Sequence, residues 1–369
     1  MRTVRLFFLT LLICAFLLCA CQNKTEQSVN TNQSTDITVA DYIADSETTA
    51  IRNDTSVLDP IIEQAVCLEL GYEQGTALSA EDLDRVAYLA IWKDSVNSLD
   101  GISMLHNLEE INIGGGVLSD ISELALIPSI NCINISNCHI TEIPDFSECT
   151  NLTQLYLPGN LVEDISPLNN VPSLRYVNLD SNRIDSVASI SGIHNLEFLS
   201  LMNNCILDYA SIGNNEDLIT AIELGSQCTY EQCMAVEEKA KEIVSVISGQ
   251  SEPDKEEYLY RYVIDHMEFD SSSRDSAAYA YQGIFYGTGV CGDYAEVFCM
   301  LAGHAGLECY ECVSDTHAWN IVKIDGRYYH CDSLWDDTGD DWIYYNKSTE
   351  DILEVPDHNY DTSRYPLCP

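Results

Sequence analysis

From Val86 onward the chain repeats itself. The apolar positions Val86, Leu89 and Ile91 recur as Leu108, Ile111 and Ile113, as Ile130, Ile133 and Ile135, as Leu152, Leu155 and Leu157, as Leu174, Val177 and Leu179, and as Leu196, Leu199 and Leu201. Each start lies 22 residues after the last, and a weaker copy at Leu218 to Leu224 closes the series. Within a unit the apolar residues fall at the spacing of a short strand pointing one set of side chains inward. The ninth place holds a small or polar residue, Cys138, Asn160, Asn182 and Asn204 in turn, whose side chain can satisfy backbone groups at the bend after the strand. Segments such as Asp164 to Leu168 supply the return side. No single coil buries its own apolar face, so the ends need caps. Ala80-Glu81-Asp82-Leu83-Asp84 reads as a helix start, and the stretch 58 to 78 carries helical patterning.

This L-x-x-L-x-L pattern with its Asn/Cys ladder resembles the leucine-rich repeat, and the 22-residue period with a preceding helical cap resembles the internalin type over about 60 to 225. The resemblance implies an α/β repeat solenoid, a leucine-rich repeat horseshoe, whose concave strand face receives a protein partner. Among the exposed positions of that face, Tyr156, Tyr176 and Phe198 form an aromatic stripe suited to a partner. The alternative is that they are scattered surface aromatics.

Beyond about Glu231 the period gives way to helical spacing. Met234, Val236, Ala240, Ile243, Val244 and Ile247 define one helix. A second, from Asp254 to about His266, turns Tyr258, Leu259, Tyr262, Val263 and Met267 inward. The run from Tyr281 to Val290 is rich in glycine and reads as a loop. After it, Tyr294, Val297, Phe298 and Leu301 share a helical face, which sets Cys291 at a helix N-terminus, where free amide N–H groups and the macrodipole favour a thiolate. Cys309 to Val313, His317 to Ile324 and Arg327 to Cys331 read as three strands, the last two joined by the tight turn Asp325-Gly326. That hairpin brings His317 beside Asp332. A thiol, an imidazole and an orienting carboxylate so arranged are the parts of a nucleophilic triad.

Gly289-Val290-Cys291-Gly292-Asp293-Tyr294-Ala295, Thr316-His317-Ala318-Trp319-Asn320 and Tyr328-Tyr329-His330-Cys331-Asp332-Ser333-Leu334-Trp335-Asp336-Asp337 together resemble the bacterial transglutaminase-like domains of the papain-like cysteine enzymes, in order and spacing. The resemblance implies an α+β domain in which Cys291 is the nucleophile, His317 the base and Asp332 the orienting acid, acting on amide or peptide bonds of a protein or peptide substrate. Asp293 stands where many members have Gly, and Ser333-Leu334 replaces a more frequent Pro/Val-Thr; neither is a triad position. Trp319, Trp335 and Asp336 are expected to wall or brace the site. The backbone N–H of Cys291 and either Tyr281 or Gln282 are candidate oxyanion donors. Water as acceptor gives hydrolysis and an amine gives cross-linking, and the sequence does not choose. A catalytically silent module in an adhesion protein is the rival reading. Neither a cofactor nor a metal is implied: the single C-x-x-C of Cys309 and Cys312 puts its two thiols on opposite faces of a strand.

At the start, Arg2 and Arg5 precede an uncharged run from Leu6 to Ala20, the layout of an export signal too short for a comfortable membrane span. Leu18-Cys19-Ala20-Cys21 resembles a bacterial lipobox, which implies cleavage before Cys21 and a lipid on its thiol, holding the protein to the outer face of the cell membrane; an ordinary signal or a short anchor is the alternative. Residues 22 to about 55 are too polar to fold and read as a tether. The expected plan is therefore a signal over 1–20, a tether over 21–55, a repeat domain over 56–227 and a transglutaminase-like domain over 228–369. A net charge of −42 and a pI near 4.1 exclude a general affinity for nucleic acid. Of the 16 cysteines, 13 follow Cys21, an odd number that leaves at least one thiol unpaired within the chain.

Overall fold

The computed structural model describes residues 58–92, 96–225, 228–272, 279–337 and 342–369. The expected signal, the tether and Cys21 lie outside the described residues. Among the described residues no helix is long and apolar enough to cross a membrane.

The repeat folds as its period predicts. Strands β1 (Tyr88–Trp92), β2 (Glu110–Gly114), β3 (Cys132–Ser136), β4 (Gln154–Tyr156), β5 (Tyr176–Asn178) and β6 (Phe198–Ser200) form one parallel sheet in chain order. The register pairs Leu89 with Ile111, Ile111 with Ile133, Ile133 with Leu155, Leu155 with Val177 and Val177 with Leu199, so the 22-residue period is also the pairing rule. All of these side chains are buried in one continuous core. The asparagine ladder stitches coil to coil. Asn160 Nδ2 donates to Ile135 O at 2.9 Å and Leu157 O at 3.0 Å, while its Oδ1 accepts from Ile140 N at 3.2 Å. Asn182 and Asn204 repeat the arrangement one and two coils later.

Both ends are capped by helices. Helix α1 (Pro60–Leu70) starts with Asp59 accepting from Ile61 N at 2.8 Å and with a proline in its first turn, and buries Ile62 and Val66 against the first coil. It is shorter than the patterned stretch 58 to 78 because Gly71 adopts a left-handed conformation (φ 72°) and ends it. A single turn, α2 (Ala80–Leu83), follows behind a Ser79/Asp82 capping box. At the far end, the weaker seventh copy of the strand pattern is instead a helix, α3 (Glu216–Gly225). Its buried Leu218, Ala221 and Ile222 are spaced for a helix face that closes the core, and Asn215 Oδ1 receives Leu218 N at 3.2 Å.

The C-terminal region is built around α7 (Cys291–His304). Helices α4 (Tyr230–Ser245), α5 (Glu252–His266) and α6 (Tyr279–Tyr286) pack on it, as does the antiparallel sheet β11-β10-β9, with β9 spanning Cys309–Val313, β10 Ala318–Ile324 and β11 Arg327–Cys331. Two residues each of β7 (Glu268–Phe269) and β8 (Thr288–Gly289) pair in parallel just before α7. Short helices α8 (Ser333–Asp336) and α9 (Thr349–Leu353) follow the sheet. Two details depart from the expected pattern. The buried tyrosine of α5 is Tyr260, whereas Tyr258 is exposed, because the Tyr260 hydroxyl donates to Asp332 O at 2.8 Å and Asp336 Oδ2 at 2.7 Å. The glycine-rich stretch expected as a loop is helical in its first half, through Tyr286 of α6. Gly283 serves close helix packing there: a Cβ would stand 2.6 Å from Val297 of α7 and 2.9 Å from Met267.

The repeat and this region touch directly. Ala210 N donates to Glu237 Oε2 at 3.0 Å, Tyr230 OH donates to Tyr209 O at 3.0 Å, and Leu207 of the last coil lies against Gly303 of α7. A cleft of about 480 Å³ beside that contact is lined by both parts, including Arg183, Cys205, Glu296, Cys299, Cys309 and Glu311.

Candidate active site

Cys291 is the first residue of α7 and is half-buried. The helix start is held from below. Val290 N donates to Asp293 Oδ2 at 2.7 Å, and the Asp293 carboxyl is buried, which pushes it up to about 6. Gly289 is required by this packing, since a Cβ would lie 2.4 Å from Asp293 Cβ. Asn320 Nδ2, on β10, donates to Ala295 O at 2.9 Å and ties the second turn of α7 to the sheet.

The hairpin supplies the other two groups. Asp325 (φ 49°) and Gly326 (φ 80°) both adopt left-handed conformations, as a two-residue primed turn requires. Asn320 consequently pairs with Cys331 and Ile324 with Arg327. Asp332 follows β11, and His317 stands immediately before β10, two residues beyond the position opposite Asp332. Their side chains meet on a diagonal of one face, with His317 Nε2 and Asp332 Oδ2 2.5 Å apart. Both residues are buried. A turn in which Ser314 Oγ accepts from His317 N at 3.1 Å fixes the approach to the strand.

Burial pulls the His317 imidazole toward neutrality, but hydrogen bonds to Asp332 and Cys291 outweigh it and raise the ring from 6.5 to about 9. With Nε2 occupied by Asp332, Nδ1 is the nitrogen left for Cys291. Burial opposes the charge of Asp332 as well, yet hydrogen bonds from His317 and His358 and the N–H of Trp335 at 3.1 Å keep its carboxyl below the usual range.

His358 is the site residue that sequence reasoning missed. It ends a one-turn helix at Pro356–His358, is fully buried, and its Nε2 lies 2.8 Å from the same Oδ2 of Asp332 that receives His317. Among the described residues its Nδ1 is buried without a hydrogen-bond partner. No periodicity or local pattern marks Val355-Pro356-Asp357-His358; only the fold brings it back over the hairpin. The ring nitrogens of His317 and His358 and the Asp332 oxygen lie within 4.8 Å of one another, the one group of three among the described residues compact enough to hold a metal ion. Their separations of 2.5 and 2.8 Å are those of direct hydrogen bonds.

The expected wall residues surround the imidazoles. Trp319 stacks near His317 at 5.9 Å and its Nε1 donates to His330 Nδ1 at 2.9 Å. Trp335 packs 5.4 Å from His317 and 4.8 Å from His358. Asp336 braces the following loop by accepting from Ile343 N at 2.7 Å and Tyr344 N at 2.9 Å. His330 is buried and lowered to about 4 by burial, so it serves as an acceptor for Trp319. Tyr281 and Gln282 sit on α6 rather than on a loop. Tyr281 packs against Phe285 at 4.7 Å, and Gln282 Nε2 donates to Thr288 Oγ1 at 2.8 Å, which commits one of its N–H groups away from an oxyanion.

On the exposed face of the repeat sheet, Tyr176 pairs in register with Phe198, whereas Tyr156 pairs with Asn178. The three aromatics thus occupy two rows of one face instead of a single stripe. Cys309 faces the α7 side of β9 and Cys312 the opposite side, as strand alternation requires.

The family model for the transglutaminase-like superfamily matches residues 237–333, and that for leucine-rich repeats in two copies matches 128–170. No curated protein matches the chain. Among solved structures, an internalin (inlF) from Listeria monocytogenes aligns with 44% of this chain and 57% of its own at 24% identity and a TM-score of 0.37. Internalin C2 of the same species aligns with 43% of this chain and 90% of its own at 24% identity and a TM-score of 0.28. A leucine-rich repeat protein of Leptospira interrogans covers 35% of this chain and 34% of its own, at 24% identity and a TM-score of 0.31. The chain thus spans little more than half the length of the first of these structures. What the family matches establish is a chain that joins leucine-rich repeats to a transglutaminase-like domain.

Proposed function

We propose that the chain is an exported cysteine enzyme that acts on amide or peptide bonds, held to the membrane by lipid on Cys21 and guided to its substrate by the repeats. The observation that carries the reading is the position of His317, near enough to Cys291 to be perturbed by its thiol and 2.5 Å from the buried carboxylate of Asp332. In the proposed cycle His317 Nδ1 takes the Cys291 proton and the sulfur attacks a carbonyl carbon. The negative charge on the carbonyl oxygen falls beside the N–H groups of the first turn of α7. The imidazolium, held in orientation by Asp332 through Nε2, then protonates the departing amine, and a thioester remains on Cys291. Water or a second amine resolves it, with His317 again the base.

The test uses the soluble chain without its first 21 residues and a glutamine-containing peptide with and without a primary amine. A gain of one oxygen in place of NH, about 1 Da, means hydrolysis, and loss of about 17 Da per joined pair means cross-linking with release of ammonia. Cys291→Ala is expected to abolish both. If neither mass change appears, and iodoacetamide labels Cys291 no faster than an ordinary exposed thiol at neutral pH, the enzyme reading is wrong. The anchor is tested separately: the full-length chain is expected to partition into a detergent phase and Cys21→Ser into the aqueous phase. Tyr176, which is exposed, and the half-buried Tyr156 and Phe198 are the proposed contacts for a protein partner.

A further inference from the structure

Helix α4, the first of the C-terminal region, begins with a capping box: Thr229 N donates to Gln232 Oε1 at 2.8 Å and Gln232 N donates to Thr229 Oγ1 at 3.2 Å. A capping box fixes the direction in which the chain enters the helix and so brings the residue before the N-cap against the fourth residue of the helix. That pair is often apolar. Here the two positions are Cys228 and Cys233. Each is half-buried, and the two thiols are close enough to perturb one another. A small cleft at this point, about 60 Å³, is lined by both cysteines together with Tyr209 of the last coil, Tyr281 of α6 and Glu296 of α7.

We propose that Cys228 and Cys233 are a redox-active dithiol that closes to a disulfide at the junction between the repeats and the transglutaminase-like domain, with a low-molecular-weight disulfide as oxidant. Cys228 is the attacking thiol. As a thiolate it displaces one thiol from the small disulfide and forms a mixed disulfide. Cys233 then attacks the Cys228 sulfur, gives up its proton to solvent and releases the second thiol. One small disulfide is reduced to two thiols and the two cysteines lose two hydrogens, so the exchange balances. The order of roles follows from the surroundings. Cys228 precedes the N-cap, at the positive end of the helix, whereas Cys233 lies in the second turn with its own N–H already bonded to Thr229 O. Neither cysteine belongs to the triad, so the pair acts independently of the chemistry at Cys291.

The experiment exposes the purified soluble chain to oxidised glutathione at neutral pH and maps the cysteines by peptide mass. The expected result is a peptide containing 228 and 233 that is lighter by about 2 Da, formed before adducts appear on the other non-triad cysteines. Cys233→Ser is expected to stop at a mixed disulfide on Cys228, about 305 Da heavier, while Cys228→Ser leaves Cys233 unmodified over the same time. A wild-type chain that accumulates the adduct without closing, or a Cys228→Ser chain in which Cys233 reacts as fast as Cys228 did, overturns the proposal. Circular dichroism of each variant separates loss of reactivity from loss of fold.

Discussion

Replacing Asp332 by asparagine removes the negative charge that His317 leans on while keeping the shape of the side chain. In the parent chain the imidazole is raised from 6.5 to about 9 although burial acts in the other direction. The difference between those values corresponds to about 3 kcal/mol of preference for the protonated ring in the folded state. Because the folded value lies above the unfolded one, this stabilisation is complete below pH 6.5 and disappears as the pH rises through about 9. In Asp332→Asn the burial remains while the chief attraction is gone, so His317 is expected to titrate below 6.5. An amide also has an N–H to offer Nε2, which favours the tautomer with its proton on Nδ1, the nitrogen needed as base. Turnover, or alkylation of Cys291, is expected to fall on the order of 10³-fold. The assay is an NMR titration of ¹³C-labelled histidine in both proteins, beside thermal unfolding at pH 6 and pH 9.5. A His317 resonance that titrates near 9 in the variant, or a parent chain with no extra loss of stability over that interval relative to the variant, would refute the reasoning.

Three further outcomes follow from the same structure. His358→Gln removes one of the two imidazole donors on Asp332 Oδ2 and is expected to lower kcat about tenfold with little change in KM; since that donor helps keep the Asp332 carboxyl low, the acid limb of the pH profile should move upward, and an unmoved limb would leave His358 a packing residue. Glu311 is raised to about 7 by burial, so ionising it above that pH works against folding. Glu311 is only half-buried on the cleft wall, which softens the penalty. Glu311→Gln should therefore stabilise the chain by about 1–2 kcal/mol at pH 8 and by almost nothing at pH 4, read as the shift in melting temperature at each pH. Asn160→Leu strands the carbonyls of Ile135 and Leu157 and the amide of Ile140 in a buried place and should cost about 2–4 kcal/mol in urea unfolding, several times the effect of a substitution at exposed Asn169.

The parts of this fold that could be read from the sequence are those governed by short-range periodicity. The 22-residue repeat leads directly to strand register, because each coil must put the same side chains into the same core. The Asp325-Gly326 turn fixes the hairpin, and the hairpin leads from His317 to Asp332. Where periodicity is ambiguous, the packing around the segment decides. Leu218, Ala221 and Ile222 suit a helix as well as a strand, and the need to close the open end of the core decides for the helix. Glycine was equally two-sided: Gly283 resembles a loop residue until Val297 and Met267 are seen to occupy the space of its missing side chain. His358 lies beyond any local rule, 26 residues past the carboxylate it contacts and joined to it only through the path of the C-terminal chain.

The contact between Leu207 and Gly303 ties together two parts that the sequence keeps nearly a hundred residues apart. A Cβ on residue 303 would stand 2.9 Å from both methyl carbons of Leu207, so the last coil rests on bare backbone. That backbone belongs to the helix whose opposite end carries Cys291. The last coil of the repeat and the Cys291 sulfur therefore share one rigid rod, about 20 Å long at 1.5 Å per residue. A side chain as small as alanine at position 303 would have to push the Leu207 methyl groups aside, so the fit between the last coil and the rod depends on the absence of that one carbon.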